Sequence, residues 1–135
     1  MTYKIEEIEG ISQAFGEKLR EAGITSAEKL LEKCAGRSGR AALAKETGIE
    51  EKYILKWTNH ADLFRVNGIG PEFAELLEAA GVDTVKELRN RNAENLYFAL
   101  DETNDSKRLV SRMPSPEQVA DMITQAEKLE PEMTY

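Results

Sequence analysis

Two segments of this chain align with each other without a gap. The first is Ile8-Glu9-Gly10-Ile11-Ser12-Gln13-Ala14-Phe15-Gly16-Glu17-Lys18-Leu19-Arg20-Glu21-Ala22-Gly23-Ile24, and the second is Val66-Asn67-Gly68-Ile69-Gly70-Pro71-Glu72-Phe73-Ala74-Glu75-Leu76-Leu77-Glu78-Ala79-Ala80-Gly81-Val82. The offset is a constant 58 residues, and Gly10/Gly68, Ile11/Ile69, Phe15/Phe73, Glu17/Glu75, Leu19/Leu77, Ala22/Ala80 and Gly23/Gly81 are identical across it. Leu30/Leu88 continues the register. A chain with this pattern must build one small unit twice, and the shared positions are those with structural jobs.

Those jobs can be named. Phe73, Leu76, Leu77 and Ala80 recur at helical spacing and give one apolar face. Gly23 and Gly81 stand where a helix should stop in the left-handed conformation that glycine adopts at little cost. Thr25 and Asp83 follow as N-caps of a next helix, with Glu28 closing a capping box on Thr25. Each repeat therefore reads as helix, tight turn, helix, glycine stop and capped helix. The later parts correspond more loosely, Ile54, Trp57, Ala61 and Phe64 matching Val119, Met122, Ala126 and Leu129 at an offset of 65. The extra length falls in the polar stretch Asp101 to Arg112. Ser115-Pro116-Glu117-Gln118 starts a last helix that should run to about Leu129 and stop before Pro131.

We expect an all-α fold without strands, with two tandem repeats in a pseudo-twofold arrangement around one core. It forms one domain over 1–135, the first repeat covering 3–59 and the second 60–132. The 135 residues, 41% hydrophobic and 32% charged, suit a globular domain with a real core. No apolar run approaches the roughly 20 residues needed to span a bilayer, so no membrane partner is expected. The segment Met1-Thr2-Tyr3-Lys4-Ile5-Glu6-Glu7 lacks the basic and then apolar pattern of a signal peptide. Cys34 is the sole cysteine, which excludes an internal disulfide. Together these favour the cytoplasm.

Leu63-Phe64-Arg65-Val66-Asn67-Gly68-Ile69-Gly70-Pro71-Glu72-Phe73-Ala74-Glu75-Leu76-Leu77 resembles the helix-hairpin-helix signature: spaced apolar residues, Gly-apolar-Gly, then a small residue and an apolar pair. Glu17 to Thr25 is similar to the small N-terminal domain of strand-exchange recombinases. Over nearly its whole length the chain resembles an uncharacterised family with paired helix-hairpin-helix units, domain of unknown function 4332. Leu43 to Ile49, Trp57, Ala61 to Leu63, Gly81 to Leu88 and Pro114-Ser115 carry that likeness. The resemblance implies a turn whose glycines let the backbone approach DNA. Amide donors at Gly68, Ile69 and Gly70 and the following helix N-terminus then meet a phosphate, without reading a base.

Two features oppose that mechanism. The net charge is −7, so only a local basic patch can bring in a polyanion. Glu72 also stands at the positive end of its helix, where it favours the helix dipole but repels phosphate. In the first repeat Ser12 replaces the second glycine. A local excess of positive charge does exist. Lys29 to Lys45 holds Lys29, Lys33, Arg37, Arg40 and Lys45 against Glu32 alone, around the turn Gly36-Arg37-Ser38-Gly39-Arg40, in which Ser38 can cap a helix. That turn reads either as a solvated loop or as an anion site.

Other constellations carry less chemistry. Ala44, Gly48, Ile49 and Ile54 fit a helix-turn-helix spacing, but Glu50 and Glu51 would face the groove, so we read a structural corner. His60 and Asp62 lack the further ligands a metal needs. Cys34 has no histidine near it in sequence, and Trp57 reads as core. The sequence reading is therefore a non-catalytic binding module with no cofactor and no metal, contacting DNA phosphates through Gly68, Ile69, Gly70, Lys33, Arg37, Arg40 and Lys45. The alternative is a protein–protein adaptor or self-assembling scaffold without nucleic-acid binding.

Overall fold

The computed structural model describes residues 3–135, so Met1 and Thr2 of the N-terminal segment lie outside the described residues. A 3-10 turn at Ile5–Glu7 leads into eight α-helices: α1 (Gln13–Glu21), α2 (Ala27–Cys34), α3 (Arg37–Thr47), α4 (Glu51–Leu63), α5 (Pro71–Ala79), α6 (Val85–Arg89), α7 (Ala93–Lys107) and α8 (Pro116–Glu127). Among the described residues the extended pairing is a single isolated bridge between Lys4 and Ser26. The fold is all-α.

Expected as a single domain, the chain divides into two compact units. Unit 1 is Met1–Asp62 with Glu132–Tyr135, and unit 2 is Leu63–Pro131. The division falls after Asp62 rather than after residue 59, because α4 continues unbroken to Leu63. Unit 2 closes an apolar cluster from its own residues, including Leu63, Phe73, Leu77, Leu88, Leu96 and Met122. Within it α8 packs on α6 and α7, and α7 on α5.

The alignment at offset 58 is repeated in backbone hydrogen bonds. Ile8 N–H donates to the Ile5 carbonyl, as Val66 N–H does to Leu63. Ile11 donates to Ile8 as Ile69 does to Val66, both at 3.2 Å. Helices α1 and α5 close alike, with Ile24 N–H on the Leu19 carbonyl and Val82 N–H on the Leu77 carbonyl, both at 2.8 Å. This is the bond by which a left-handed residue satisfies the carbonyls that a helix end would orphan. Gly23 (φ +87°) and Gly81 (φ +94°) are those residues, as their place in the sequence predicted.

The loose second correspondence also has a structural counterpart. A Cβ on Gly10 would lie 3.2 Å from Trp57 Nε1, and a Cβ on Gly68 would lie 3.2 Å from Met122 Cε. Trp57 and Met122 are the pair matched at offset 65. In each unit the turn glycine thus meets an equivalent side chain of the fourth helix.

The helix starts differ in detail from the expected caps. Ser26 and Thr84, rather than Thr25 and Asp83, cap α2 and α6, accepting from the amides of Lys29 and Glu87. Thr25 is engaged elsewhere, its carbonyl accepting from Ile5 N–H at 3.2 Å. Helix α3 starts from Gly36, and Ser38 lies inside it. Only Ala35 and Gly36 separate α2 from α3, and a methyl group at Gly39 would run into the Lys33 carbonyl. Ser115 and Gln118 form the expected capping box on α8, which ends at Glu127, two residues early.

One ion pair ties the lead-in turn to α1. Arg20 grips Glu6 through Nε and Nη2, both at 2.6 Å. Gly16 makes the room, since a Cβ there would lie 2.7 Å from Glu6 Oε2.

Gly81→Ala should cost about 1 kcal/mol in urea unfolding, the strain of a left-handed non-glycine residue. Gly39→Ala should cost more, since α2 and α3 must separate; equal losses would refute the close approach. The ion pair gives a second measurement. The Arg20 hydrogen bonds hold the Glu6 carboxyl down at about 2. Its pKa is depressed on folding, so the stabilisation is complete above the free value of about 4.3. It is lost as pH falls toward 2. A carboxyl-carbon NMR titration should find that low midpoint, and Arg20→Ala should return it to about 4.3.

Candidate nucleic-acid interface

The cationic corner lies in unit 1. Lys29 and Lys33 stand one turn apart on α2, and Arg37 and Lys45 lie in the first and last turns of α3; all four are exposed. Gly36 offers no side chain to the first-turn amides of α3. The corner therefore joins the exposed Lys33 and Arg37 to a helix N-terminus with no side-chain cap, a combination that favours an anion.

Arg40 does not belong to that surface. Only 4% exposed, it donates from Nη1 to the carbonyls of Cys34 (2.9 Å) and Ala35 (3.0 Å) and from Nη2 to that of Thr134 (2.7 Å). Its guanidinium also lies 5.6 Å from the centre of the Tyr135 ring. Sequence reasoning placed it among the phosphate contacts; the structure corrects this, because its donors are spent on backbone. It caps the C-terminal end of α2, where the helix dipole favours a cation. It also holds the segment Glu132–Tyr135 to unit 1. Thr134 N–H donates to the Ala35 carbonyl at 2.9 Å, Tyr135 Oη donates to Asn59 Oδ1 at 3.2 Å, and Met133 is buried. No local signal reveals this, because Arg40 and Thr134 are 94 residues apart.

Gly68, Ile69 and Gly70 lie in unit 2. Gly68 is exposed with φ +100°, but Ile69 is buried and its N–H goes to the Val66 carbonyl. Gln125 clamps the turn from α8, accepting from Asn67 N–H at 2.9 Å and donating to the Asn67 carbonyl at 3.2 Å. What the turn can offer an anion is the start of α5, where Gly70 supplies no side-chain cap. Glu72 is exposed at that start. In the first repeat Ser12 caps α1 itself, accepting from Phe15 N–H at 3.2 Å. The turn before α5 is thus the more open of the two.

A family model matches residues 9–129, which run from the turn before α1 through α8. The chain belongs to the family described as Domain of unknown function (DUF4332). No curated protein and no solved structure matches it.

Other features of this DUF4332 chain bear on chemistry. Burial pushes the Cys34 thiol up to about 11, which leaves almost no thiolate at neutral pH. His60 and Asp62 are buried in α4. Among the described residues no group of three or more His, Cys, Asp or Glu could hold a metal ion, and no helix is long and apolar enough to cross a membrane. The helix-turn-helix spacing corresponds to a corner at Gly48 (φ +75°), with Glu50, Glu51 and Lys52 exposed beside it.

Sequence reasoning passed over two sites in unit 2. An open polar cleft of about 560 Å³ is lined by Glu72, Asn104, Asp105, Arg108 to Val110 and Ser111. Asn104 fixes its wall by exchanging hydrogen bonds with Val110 N–H and carbonyl. The other is the outer face of α7, where Phe98 is 62% exposed. The signal for the second was present: an aromatic residue with Glu94 and Glu102 four residues to either side.

The inward role of Arg40 is testable. Arg40→Ala should lower stability by about 2–3 kcal/mol, as the loss of charge-assisted hydrogen bonds would. It should also bring amide exchange at Thr134 to the rate of free peptide. An unchanged melting point with a protected Thr134 amide would show that the tail is held otherwise.

Proposed function

We propose that this chain is a non-catalytic cytoplasmic binding module, built from two tandem helix-hairpin-helix repeats, that holds the phosphate backbone of DNA without reading base sequence. The observation that carries the proposal is the α2–α3 corner: Lys33 and Arg37 exposed on either side of the uncapped start of α3, with Lys29 and Lys45 exposed further along the two helices. The repeat reading is supported by the hydrogen bonds that recur at offset 58 and by the two turn glycines with positive φ, Gly10 and Gly68.

Charge distribution supports the same assignment. Unit 1 carries ten Lys and Arg against twelve Asp and Glu, whereas unit 2 carries eight against thirteen. Most of the net −7 therefore resides in unit 2. In unit 1, Lys29 to Lys45 concentrates five cations against one acid, of which Arg40 alone is internal. A polyanion approaching this corner meets positive charge at short range, inside a Debye length of about 10 Å. Unit 2 taken by itself offers the amides at the start of α5, with Glu72 limiting their strength.

Phosphate neutralisation then supplies most of the binding. Fluorescence anisotropy with a labelled duplex should show a complex at about 50 mM salt that is lost by about 200 mM, with a log–log slope near roughly −3. Duplexes of unrelated sequence should bind equally. Lys33→Glu with Arg37→Glu should abolish binding, and Glu72→Lys should tighten it. Absence of any complex at the lower salt, or a complex indifferent to the double reversal, overturns the proposal. The exposed Phe98 face favours a second reading, protein association.

A further inference from the structure

We infer that copies of this chain associate by docking the α7 face around Phe98 of one molecule on the α3 face around Ala41 of another. This inference does not depend on nucleic-acid binding.

The two faces are complementary in shape and charge. On α7, Glu94, Phe98 and Glu102 follow one another at intervals of four residues, and all three are exposed. On α3, Arg37, Ala41 and Lys45 do the same, and all three are exposed. Residues four apart lie on one face of a helix, separated by about 6 Å along its axis. Each helix thus presents a centre with one charge about 6 Å to either side. The α7 centre is a bulky ring and the α3 centre a methyl group, a knob and a shallow seat. The flanking charges are carboxylates on α7 and cations on α3. The match holds for parallel and antiparallel docking alike, because both triplets are symmetrical about their centres.

The surroundings extend the match. Asn95, Asp101 and Asp105 are also exposed on α7, and residues 93–105 include no Lys or Arg. Ala42 widens the small-residue seat on α3, and Lys33 adds a cation on the neighbouring α2. Phe98 is 62% exposed in the middle of a 15-residue helix. Large aromatic side chains so placed are what a docking surface uses as anchors. Charge complementarity selects the partner. The acidic face needs a basic face with a small-residue centre, and α3 of another copy supplies both.

The contact joins two different surfaces, so it is heterologous: each molecule keeps one free face of each kind and can extend a chain or close a ring. One helix face on another is a small interface, so association is weak and sensitive to salt. The α3 cations in the contact are also those proposed for phosphate, so the α7 carboxylates and nucleic acid compete for them.

Sedimentation velocity at an ionic strength of about 0.01 M tests this. The weight-average mass should rise above the 15.1 kDa of one chain as concentration increases, and should return to it at an ionic strength of about 1 M. Phe98→Asp should weaken association at least about tenfold while leaving the melting point unchanged and DNA binding intact or tighter, because it frees the α3 cations. Failure of one reading therefore does not mimic failure of the other. Glu94→Lys with Glu102→Lys should give a monomer, as should Arg37→Glu with Lys45→Glu. An equimolar mixture of these two double variants should associate again, because the reversed faces complement each other. A 15.1 kDa species at every concentration overturns the inference and leaves the α7 face to a different, basic protein. Association that survives Phe98→Asp, or a mixture that stays monomeric, overturns it too.

Discussion

The close approach of a turn to a core side chain governs each half of this molecule. Gly10 comes within van der Waals reach of the Trp57 indole, and Gly68 within reach of the Met122 methyl. A side chain at either position meets two obstacles at once: a left-handed backbone and an occupied space. Glycine lets the turn pass over the fourth helix without strain or a shift of that side chain. Once it does, Ile11 and Ile69 are directed into the interior and α1 and α5 start immediately beyond. The glycine stop and the capped third helix follow at fixed distances. This is why the two halves keep the same spacing while much of their surface has diverged.

What was legible in the sequence was whatever is encoded locally. The left-handed glycines at 23 and 81, the capping box at Ser115 and Gln118, and the apolar face of α5 each depend on residues within one or two turns of each other. The helix start at Ser26 was missed by one position because a distant group, Ile5 N–H, engages Thr25; its counterpart at Thr84 was missed by the same single residue. Arg40 was misread for a stronger form of the same reason. In the sequence it is one cation among five; in the fold it faces inward, because three carbonyls converge on it and one of them comes from Thr134. Composition assigns a charge to a residue but not the direction in which it points.

That reassignment sharpens the electrostatics. A chain of net −7 with evenly mixed charges would repel every polyanion and attract little else. Here the charges are segregated along the sequence, with cations in excess on α3 and carboxylates in excess on α7. Segregation gives each face a field of one sign at short range, which the net charge does not describe. The turns before α1 and α5 contribute differently. Ser12 consumes the donor capacity of the first, and Gln125 secures the second while leaving the start of α5 without a side-chain cap. The two turns share backbone hydrogen bonds but not a chemistry.

The return of residues 132–135 to unit 1 has a consequence for the order of assembly. Unit 2 is continuous in sequence, whereas unit 1 is interrupted by it. During synthesis all of unit 2 emerges before the Thr134 carbonyl reaches Arg40, so the first half to be made is the last to be completed. After that moment both ends of unit 2 are anchored on unit 1, and its unfolded chain is a closed loop rather than a free tail. Closing a loop removes conformations from the unfolded ensemble. A few hydrogen bonds around one guanidinium thus act as a clasp on a segment they never touch.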